Sequence, residues 1–207
     1  MIAVIDHGAA DQGALLRALQ RAGADAELVH SADRLDRAAR IVLYANGSFA
    51  SLARGLRDRR LIGSLVRAIL EGRPFLGVGA GMHMLLDVSY DDGQHTGLGV
   101  VPGKAIPIPY DASHPARRVY RPPHQGWAAV RWNENCPLLR GLTSGESFYF
   151  EHACLAQPLD AAVTVGRSNY GVDFCAVLAL GRTYAVQFLP QQSQEAGQRL
   201  LANFAAA

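Results

Sequence analysis

The sequence predicts an α/β protein whose central, mostly parallel sheet is covered by helices on both faces and whose C-terminal half is rich in β-strands. Two observations support this prediction. Over roughly the first ninety residues, short apolar runs alternate with helical patterns, which is typical of parallel strands joined by crossover helices. From Gly97 onward, prolines separate short apolar runs, which indicates meandering strands and turns.

The elements of the N-terminal half follow in chain order. We predict strands at residues 2–5, 26–29, 41–44 and 74–78, and helices near 12–22 and at 61–70. In a parallel sheet the ligand crevice lies beyond the carboxyl ends of the strands. The loops at 7–11, 46–49 and 79–81 are therefore expected to lie close together.

The C-terminal half contains shorter elements. Apolar runs at 127–132, 148–150, 174–180 and 184–188 predict strands. A closing helix over roughly 194–204 places Ala196, Leu200, Leu201 and Phe204 on one face. Because no segment reads as a linker, we expect a single domain over residues 1–207.

Composition and charge exclude several classes of protein. The chain of 207 residues is 49% hydrophobic and 18% charged, which excludes a disordered tail, a coiled coil and a collagen. A net charge of +2 gives no footprint for nucleic acid. We interpret two groups of basic residues as solvated faces, with an anionic ligand as the alternative: Arg54, Arg57, Arg59, Arg60 and Arg117, Arg118, Arg121.

The cysteines and the N-terminus indicate the compartment. Cys136, Cys154 and Cys175 are an odd number without CxxC spacing, which argues against a disulfide framework and a zinc site. No apolar run approaches the roughly 18 residues of a membrane span, and the first residues lack a signal-peptide pattern. We therefore expect a cytoplasmic protein with no membrane association, metal or cofactor.

The segment from Pro74 to Met82 predicts a buried strand, a sharp glycine-rich turn with Gly79 at a positive φ, and a helix from about Ala80. Three interpretations are open. Gly77, Gly79 and Gly81 could hold a dinucleotide phosphate, although the spacing is GxGxG and lacks the GxGxxG fingerprint. The turn could be a nucleophile elbow, although its central residue, Gly79, has no nucleophile. It could also be a tight connection without further function.

The whole chain, from Ile2 to Phe204, resembles the glutamine amidotransferase subunit of imidazole glycerol phosphate synthase, a class I, triad-type amidotransferase. The matching motifs are Ile2-Ala3-Val4-Ile5-Asp6 with Gly8, Gly72-Arg73-Pro74-Phe75-Leu76-Gly77, Gly97-Leu98-Gly99-Val100-Val101-Pro102-Gly103-Lys104, His124 with Gly126-Trp127, Phe148-Tyr149-Phe150 with His152, Val186-Gln187-Phe188 with Pro190, and Ser193-Gln194-Glu195 with Gly197, Leu200, Leu201, Asn203 and Phe204. The resemblance implies a flavodoxin-like three-layer sandwich, and a role in histidine biosynthesis beside a (β/α)8-barrel synthase subunit.

The chain departs from this family at the catalytic positions. Family members carry Cys, His and Glu where this sequence has Gly79, Leu189 and Gln191. Glutamine hydrolysis by this route needs a thiolate, an imidazole and an orienting carboxylate, so the resemblance implies a degenerate triad. His83 stands where the family has a substrate-contacting glutamine, and Gly47 could keep one oxyanion-hole amide. With Gly77 and Gly81, these two residues form the expected remnant of the substrate pocket.

The resemblance also predicts a partner interface, which includes His124, Gly126, Trp127 and His152. An exposed Trp127 would be a good interface anchor, and the alternative is that it packs into the core.

Two functions follow as hypotheses. The first is a catalytically inactive subunit that binds, scaffolds or regulates a barrel synthase-type partner, as part of a heterodimer. The second is a diverged amidotransferase or hydrolase with a relocated nucleophile.

Cys154 and Cys175 lie in apolar runs typical of inert buried thiols, and Cys136 precedes a proline in what the sequence predicts to be a surface turn. Ser48 and Ser89 are further candidates for the relocated nucleophile, but nothing in the sequence distinguishes them from other serines.

Overall fold

The computed structural model describes residues 1–110, 120–133 and 135–207, so Arg117 and Arg118 of the second arginine group lie outside the described residues. The strands are β1 (Ile2–Ile5), β2 (Ala26–Val29), β3 (Arg40–Ala45), β4 (Phe75–Gly79), β5 (Val88–Ser89), β6 (His95–Thr96), β7 (Gly103–Pro107), β8 (His124–Ala129), β9 (Ser147–His152), β10 (Cys154–Pro158), β11 (Thr164–Asn169), β12 (Asp173–Leu180) and β13 (Thr183–Val186). The helices are α1 (Gly13–Arg21), α2 (Ala32–Asp36), α3 (Phe49–Asp58), α4 (Ile62–Leu70), α5 (Ala80–Met84) and α6 (Gln194–Ala206).

A seven-stranded sheet in the order β11-β12-β13-β4-β3-β1-β2 forms the centre of the molecule. Its strands β1, β2, β3, β4 and β13 pair in parallel, and β11 and β12 extend it antiparallel beyond β13. A four-stranded sheet, β10-β7-β5-β6, and a two-stranded ribbon, β8-β9, complete the C-terminal half. The predicted α/β fold class with a mostly parallel central sheet is confirmed.

Two hydrophobic cores lie on opposite faces of the central sheet. Along β1, Ile2 and Val4 belong to one core, and Ala3 and Ile5 belong to the other. The first core receives α1 and α6, and the second receives α2, α3 and α4. Because successive strand residues point to opposite faces, an all-apolar strand such as β1 requires helices on both sides.

The predicted N-terminal strands agree with the observed ones to within one residue at either end, but α3 was absent from the prediction. Its apolar residues Phe49, Leu52 and Leu56 follow helical spacing and are buried. Gly55 interrupts this pattern and lowers the helix propensity of the segment. A Cβ at Gly55 would collide with the backbone carbonyl of His7, so this glycine lets α3 approach the loop after β1.

Two sequence predictions about the C-terminal half are corrected. The strand expected at 127–132 is β8, which begins at His124, because its residues pair in register with β9 from His124 opposite His152 to Ala129 opposite Ser147. Cys136 was expected in a surface turn, but its side chain is buried in the first core.

Candidate functional site

The chain turns sharply between β4 and α5 at Gly79. The backbone of Gly79 has φ 61° and ψ −121°, a conformation that residues other than glycine rarely adopt. The predicted positive φ is confirmed. A Cβ on Gly79 would lie 2.5 Å from the carbonyl oxygen of Ala45 at the end of β3. The turn therefore has the backbone geometry of a nucleophile elbow, in a setting that favours glycine.

Gly77 and Gly81 allow α5 to pack closely against the sheet. A Cβ on Gly77 would lie 2.6 Å from the carbonyl oxygen of Gly81, and a Cβ on Gly81 would collide with the carbonyl oxygen of Leu43. Neither residue lines the neighbouring cavity. These two members of the expected pocket remnant therefore serve packing in this structure.

A cavity of about 400 Å³ opens beside the elbow. Loops after β3 and β4 meet there, as the sequence predicted, and the loop after β1 reaches Tyr44 through His7, whose Nε2 lies 2.8 Å from the Tyr44 carbonyl oxygen. The lining residues are Asn46, Gly47, Ser48, Ala80, His83, Asp91, Pro123, Glu151, His152, Ala153, Cys154 and Gln187.

His83 and Gln187 form the buried wall of this cavity. His83 Nε2 donates to Gln187 Oε1 at 2.7 Å, since an amide oxygen can only accept. Burial lowers the pKa of His83, and the bond to Gln187 opposes this effect in part. His83 is therefore neutral near pH 7, with its Nε2 proton committed to Gln187.

Two carboxylates face the cavity from other elements. Asp91 Oδ2 accepts from the backbone amide of Phe49 at 2.8 Å, at the start of α3. Glu151 Oε2, on β9, accepts from Asn46 Nδ2 at 2.9 Å. Cys154 lies beside Asp91, and burial, followed by the charge of Asp91, raises the pKa of its thiol to about 12. The only cysteine in the lining is therefore a protonated thiol.

Leu189 and Gln191 lie close to the elbow in different ways. Leu189 is fully buried, and its Cδ2 would lie 3.7 Å from a Cβ on Gly79. Gln191 is placed beside Tyr44. Burial and then the charge of Glu151 raise the pKa of Tyr44, and a hydrogen bond from Gln191 opposes that rise. The structure thus brings an aliphatic side chain against the centre of the elbow.

His124 and His152 form a buried pair at the start of the β8-β9 ribbon. His152 Nδ1 donates to the carbonyl of Cys154 at 2.9 Å, so its Nε2 accepts from His124 Nδ1 at 3.0 Å. The His124 ring stacks on Tyr170 with ring centroids 4.0 Å apart. Burial lowers the pKa of His124 to about 4 and that of His152 to about 3.

This placement corrects the expected partner interface. His124 and His152 are buried, and His152 contributes to the cavity wall. Trp127 is 48% exposed, which excludes the alternative that it packs into the core. It meets Tyr149 edge to face across the ribbon, with ring centroids 5.9 Å apart. Gly126, partly exposed, precedes it on β8.

Sequence reasoning did not single out Asp91, Glu151 or Gln187 for the site. Asp91 lies in a short turn after β5, far along the chain from the elbow, and its bond to Phe49 is formed only by the folded chain. Gln187 directly follows β13, the strand next to β4. Its position at the carboxyl end of a parallel strand is the signal that could have identified it.

The described residues contain neither a candidate metal site nor a candidate membrane-spanning helix. Within 1–110, 120–133 and 135–207, no group of three or more His, Cys, Asp or Glu side chains could hold a metal ion. In the same part of the chain, no helix has the length and apolar character needed to cross a membrane.

Known proteins resemble the chain over its full length. The imidazole glycerol phosphate synthase subunit HisH of Syntrophotalea carbinolica is 32% identical over 204 residues, which cover 99% of this chain and 98% of that protein. The HisH subunit of Rhodopirellula baltica is 33% identical, covering 100% and 98%. That of Methylococcus capsulatus is 36% identical, covering 98% and 94%. No family model matches the chain.

Solved structures agree with this relationship at the level of the fold. A crystal structure of a glutamine amidotransferase matches with a TM-score of 0.72 at 16% identity and covers 100% of both chains. The structure of PurLQS from Thermotoga maritima matches with a TM-score of 0.72 at 16% identity, covering 98% of this chain and 96% of that chain. On the strength of its full-length relatives, this chain belongs to the family of imidazole glycerol phosphate synthase subunits HisH.

Proposed function

We propose that this chain is a HisH homologue that does not hydrolyse glutamine and that acts as a binding, scaffolding or regulatory subunit of a (β/α)8-barrel synthase-type partner. The placement of Leu189 beside Gly79 carries the proposal. At the centre of the elbow the backbone turns as a nucleophile elbow does, yet the position holds no side chain and the adjacent position holds an aliphatic one.

Three chemical tasks have no residue to perform them. Attack on an amide carbonyl needs a nucleophile, which Gly79 lacks. Proton transfer to the leaving ammonia needs a base beside the nucleophile, which Leu189 cannot supply. Gln191 is a neutral amide and cannot balance an imidazolium as a carboxylate does. Because the members of a catalytic triad act as a unit, the loss of one typically removes about 10⁴-fold or more of the rate.

The histidines near the cavity do not restore a base. His83 Nε2 is bonded to Gln187, and both nitrogens of His152 are bonded, one to the Cys154 carbonyl and the other to His124. Burial lowers the pKa of His83 and of His152. Each ring is therefore a weak proton acceptor at neutral pH.

Among the cysteines, the candidate for a relocated nucleophile is Cys154, which lines the cavity. The thiolate is the reactive form, and a thiol whose pKa is raised to about 12 is almost wholly protonated at pH 7. Its neighbour Asp91 repels the negative charge that a thiolate would carry. These contacts favour an inert thiol and disfavour the hydrolase hypothesis.

Trp127 and Tyr149 on the ribbon support the partner assignment. Trp127 is 48% exposed and Tyr149 is partly exposed, and aromatic side chains of this kind anchor protein interfaces. The relatives are named as subunits of imidazole glycerol phosphate synthase. We therefore assign the barrel partner to the face that carries these two rings.

The test combines an activity assay with a binding assay. Glutamate release from glutamine is measured for the chain alone and with the barrel synthase subunit of the same organism, and partner binding is measured by titration calorimetry. We expect no glutamate release above the protein-free rate in either sample, together with saturable binding of the barrel. Release that survives further purification, or specific labelling of Cys154 by a reactive glutamine analogue, would refute the proposed inactivity. Absence of barrel binding would refute the subunit role.

A further inference from the structure

Two exposed arginines lie side by side at the outer edge of the central sheet. Arg131, two residues after β8, and Arg167, on the edge strand β11, exchange two backbone hydrogen bonds, in which the amide of each donates to the carbonyl of the other at 2.8 Å. Residues paired in this way have Cα atoms about 5.5 Å apart and direct their side chains to the same face. Two positive charges therefore project from one face of the sheet edge.

Arg167 extends over the face of the sheet that carries the second core. It pairs with Cys175 on β12, whose side chain belongs to that core. Burial raises the pKa of the Cys175 thiol to about 11, and a hydrogen bond with Thr164 and then the charge of Arg167 oppose this rise. The guanidinium of Arg167 is therefore close to the buried thiol, and Arg131 continues the same row across the sheet.

No acidic side chain of the described residues neutralises the two arginines. In the part of the chain that the structure describes, neither guanidinium has a carboxylate oxygen within 4 Å, and the ion pairs involve other basic groups. Asp173, on the same face, is held by Asn169, whose Nδ2 donates to its Oδ1 at 2.6 Å. Like charges directly opposite each other destabilise a sheet, so the pair is unfavourable unless a further anion joins it.

A cavity of about 460 Å³ lies beside the two arginines. Its charged lining residues are Arg131, Arg167 and Asp173, which leaves an excess of positive charge. Asn133 also lines it, and its side-chain amide has no hydrogen-bond partner among the described residues. The volume is that of a site for a small molecule, and the lining shares no residue with the cavity beside the elbow.

We propose that this second cavity binds a small phosphate monoester, whose dianionic phosphate lies between the guanidinium groups of Arg131 and Arg167 and accepts a further hydrogen bond from the amide of Asn133. The planar guanidinium presents paired donors that match phosphate oxygens, and two guanidinium groups balance a dianion. A monoanion fits less well, since it leaves one positive charge uncompensated. This inference goes beyond the proposed function, because neither inactivity toward glutamine nor partner binding requires an anion at this edge of the sheet.

Three anions of similar size test the required charge and shape by titration calorimetry at constant ionic strength. The probe is methyl phosphate, which is a dianion at about pH 8 because its second pKa lies near 6. Methyl sulfate has the same tetrahedral shape with one negative charge, and acetate is planar with one negative charge. We expect methyl phosphate to bind about tenfold or more tightly than either of the others, since one charge-assisted hydrogen bond contributes that much.

Variants assign the binding groups. Arg131→Gln and Arg167→Gln should each weaken methyl phosphate binding about tenfold or more. Arg37→Gln, at an exposed arginine that ends α2, is the matched control and should leave the affinity unchanged. Asp173→Asn keeps an acceptor for Asn169 but removes the negative charge from the lining, and should tighten methyl phosphate binding about twofold.

The outcomes separate this inference from the proposed function. Absence of saturable methyl phosphate binding overturns it, as does methyl sulfate binding at least as tightly. Equal affinities for Arg131→Gln, Arg167→Gln and Arg37→Gln, when all three variants show the parent's circular dichroism spectrum, overturn it as well. Barrel binding and glutamate release are measured on the same preparations. A failure in those assays with methyl phosphate binding intact would refute only the proposed function.

Discussion

The elbow at Gly79 and the β8-β9 ribbon border the same cavity, but the elbow is distinguished by its backbone conformation and the ribbon by an exposed side chain. The elbow keeps its backbone path, with φ 61° at Gly79, while its side chains offer no nucleophile or base. On the ribbon, Trp127 is 48% exposed, so burial in the core does not account for this side chain. Packing of α5 against the sheet holds the elbow in shape whatever its chemistry. An exposed tryptophan has no such internal reason, which is why we propose that it contacts a partner.

The variant with the largest expected effect tests whether close packing of α5 against the sheet fixes the backbone conformation of the elbow. Gly81→Ala would place a methyl group against the Leu43 carbonyl, and α5 would have to move away from β3. We expect a loss of about 3 kcal/mol in the free energy of unfolding, measured by urea denaturation. Gly63→Ala is the matched control, because a Cβ at Gly63 in α4 meets nothing within 4 Å. Equal stability of the two variants would contradict the packing explanation.

A second prediction concerns the residue at the centre of the elbow. Gly79→Cys combines a strained positive φ with a contact of 2.5 Å to the Ala45 carbonyl, so we expect a loss of about 2 kcal/mol and no glutamate release. Gly181→Cys, with φ 58° and nothing within 4 Å, separates strain from contact and should lose less stability. Hydrolysis should also require Leu189→His and Gln191→Glu. A Gly79→Cys variant as stable as the parent would show that the elbow is not strained.

The third prediction tests the ribbon. Trp127→Ala should change the free energy of unfolding of the isolated chain by less than about 0.5 kcal/mol, because half of the ring faces solvent. It should weaken barrel binding by about 2 kcal/mol, measured by titration calorimetry. Leu180→Ala removes another exposed apolar side chain, 44% accessible, and should leave binding unchanged. If Trp127→Ala and Leu180→Ala bind the barrel equally well, the ribbon is not the interface.

The smallest effect is a pH dependence from the histidine pair. Burial lowers the pKa of His124 to about 4 and of His152 to about 3 from 6.5, so below pH 6.5 the unfolded chain takes up protons that the folded chain does not. Stability should therefore fall as the pH drops below 6.5, until the folded pKa values are reached.

Urea unfolding between about pH 7.5 and about pH 5 measures this dependence. The double variant His124→Phe, His152→Leu should show a shallower decline than the parent. His7 and His83, whose pKa values are also lowered, should retain part of it. His30→Gln, at an exposed histidine, should keep the parent's profile. A double variant with an unchanged slope would mean that this pair does not titrate on unfolding.

Sequence alone was sufficient for the fold class, the family and the positive φ of Gly79. The fold class and the positive φ rest on local patterns: apolar runs that predict strands, and a glycine at the end of a buried strand where a sharp turn needs it. The family, and with it His83 and Gly47 as pocket residues, rests on the resemblance of motifs along the whole chain. The local patterns missed α3, because Gly55 interrupts its helical spacing, and a Cβ at that glycine would collide with the loop after β1.

Tertiary structure decided which side chains meet. The bond of Asp91 to the Phe49 amide joins residues 42 positions apart, and that of Glu151 to Asn46 joins residues 105 apart. No local pattern encodes such pairs, since each joins the segment after β3 to an element outside the central sheet. For the same reason sequence could not decide whether Trp127 is exposed or His152 buried. Alternation along β9 and its register with β8 settle both, by turning Tyr149 toward Trp127 and His152 toward the core.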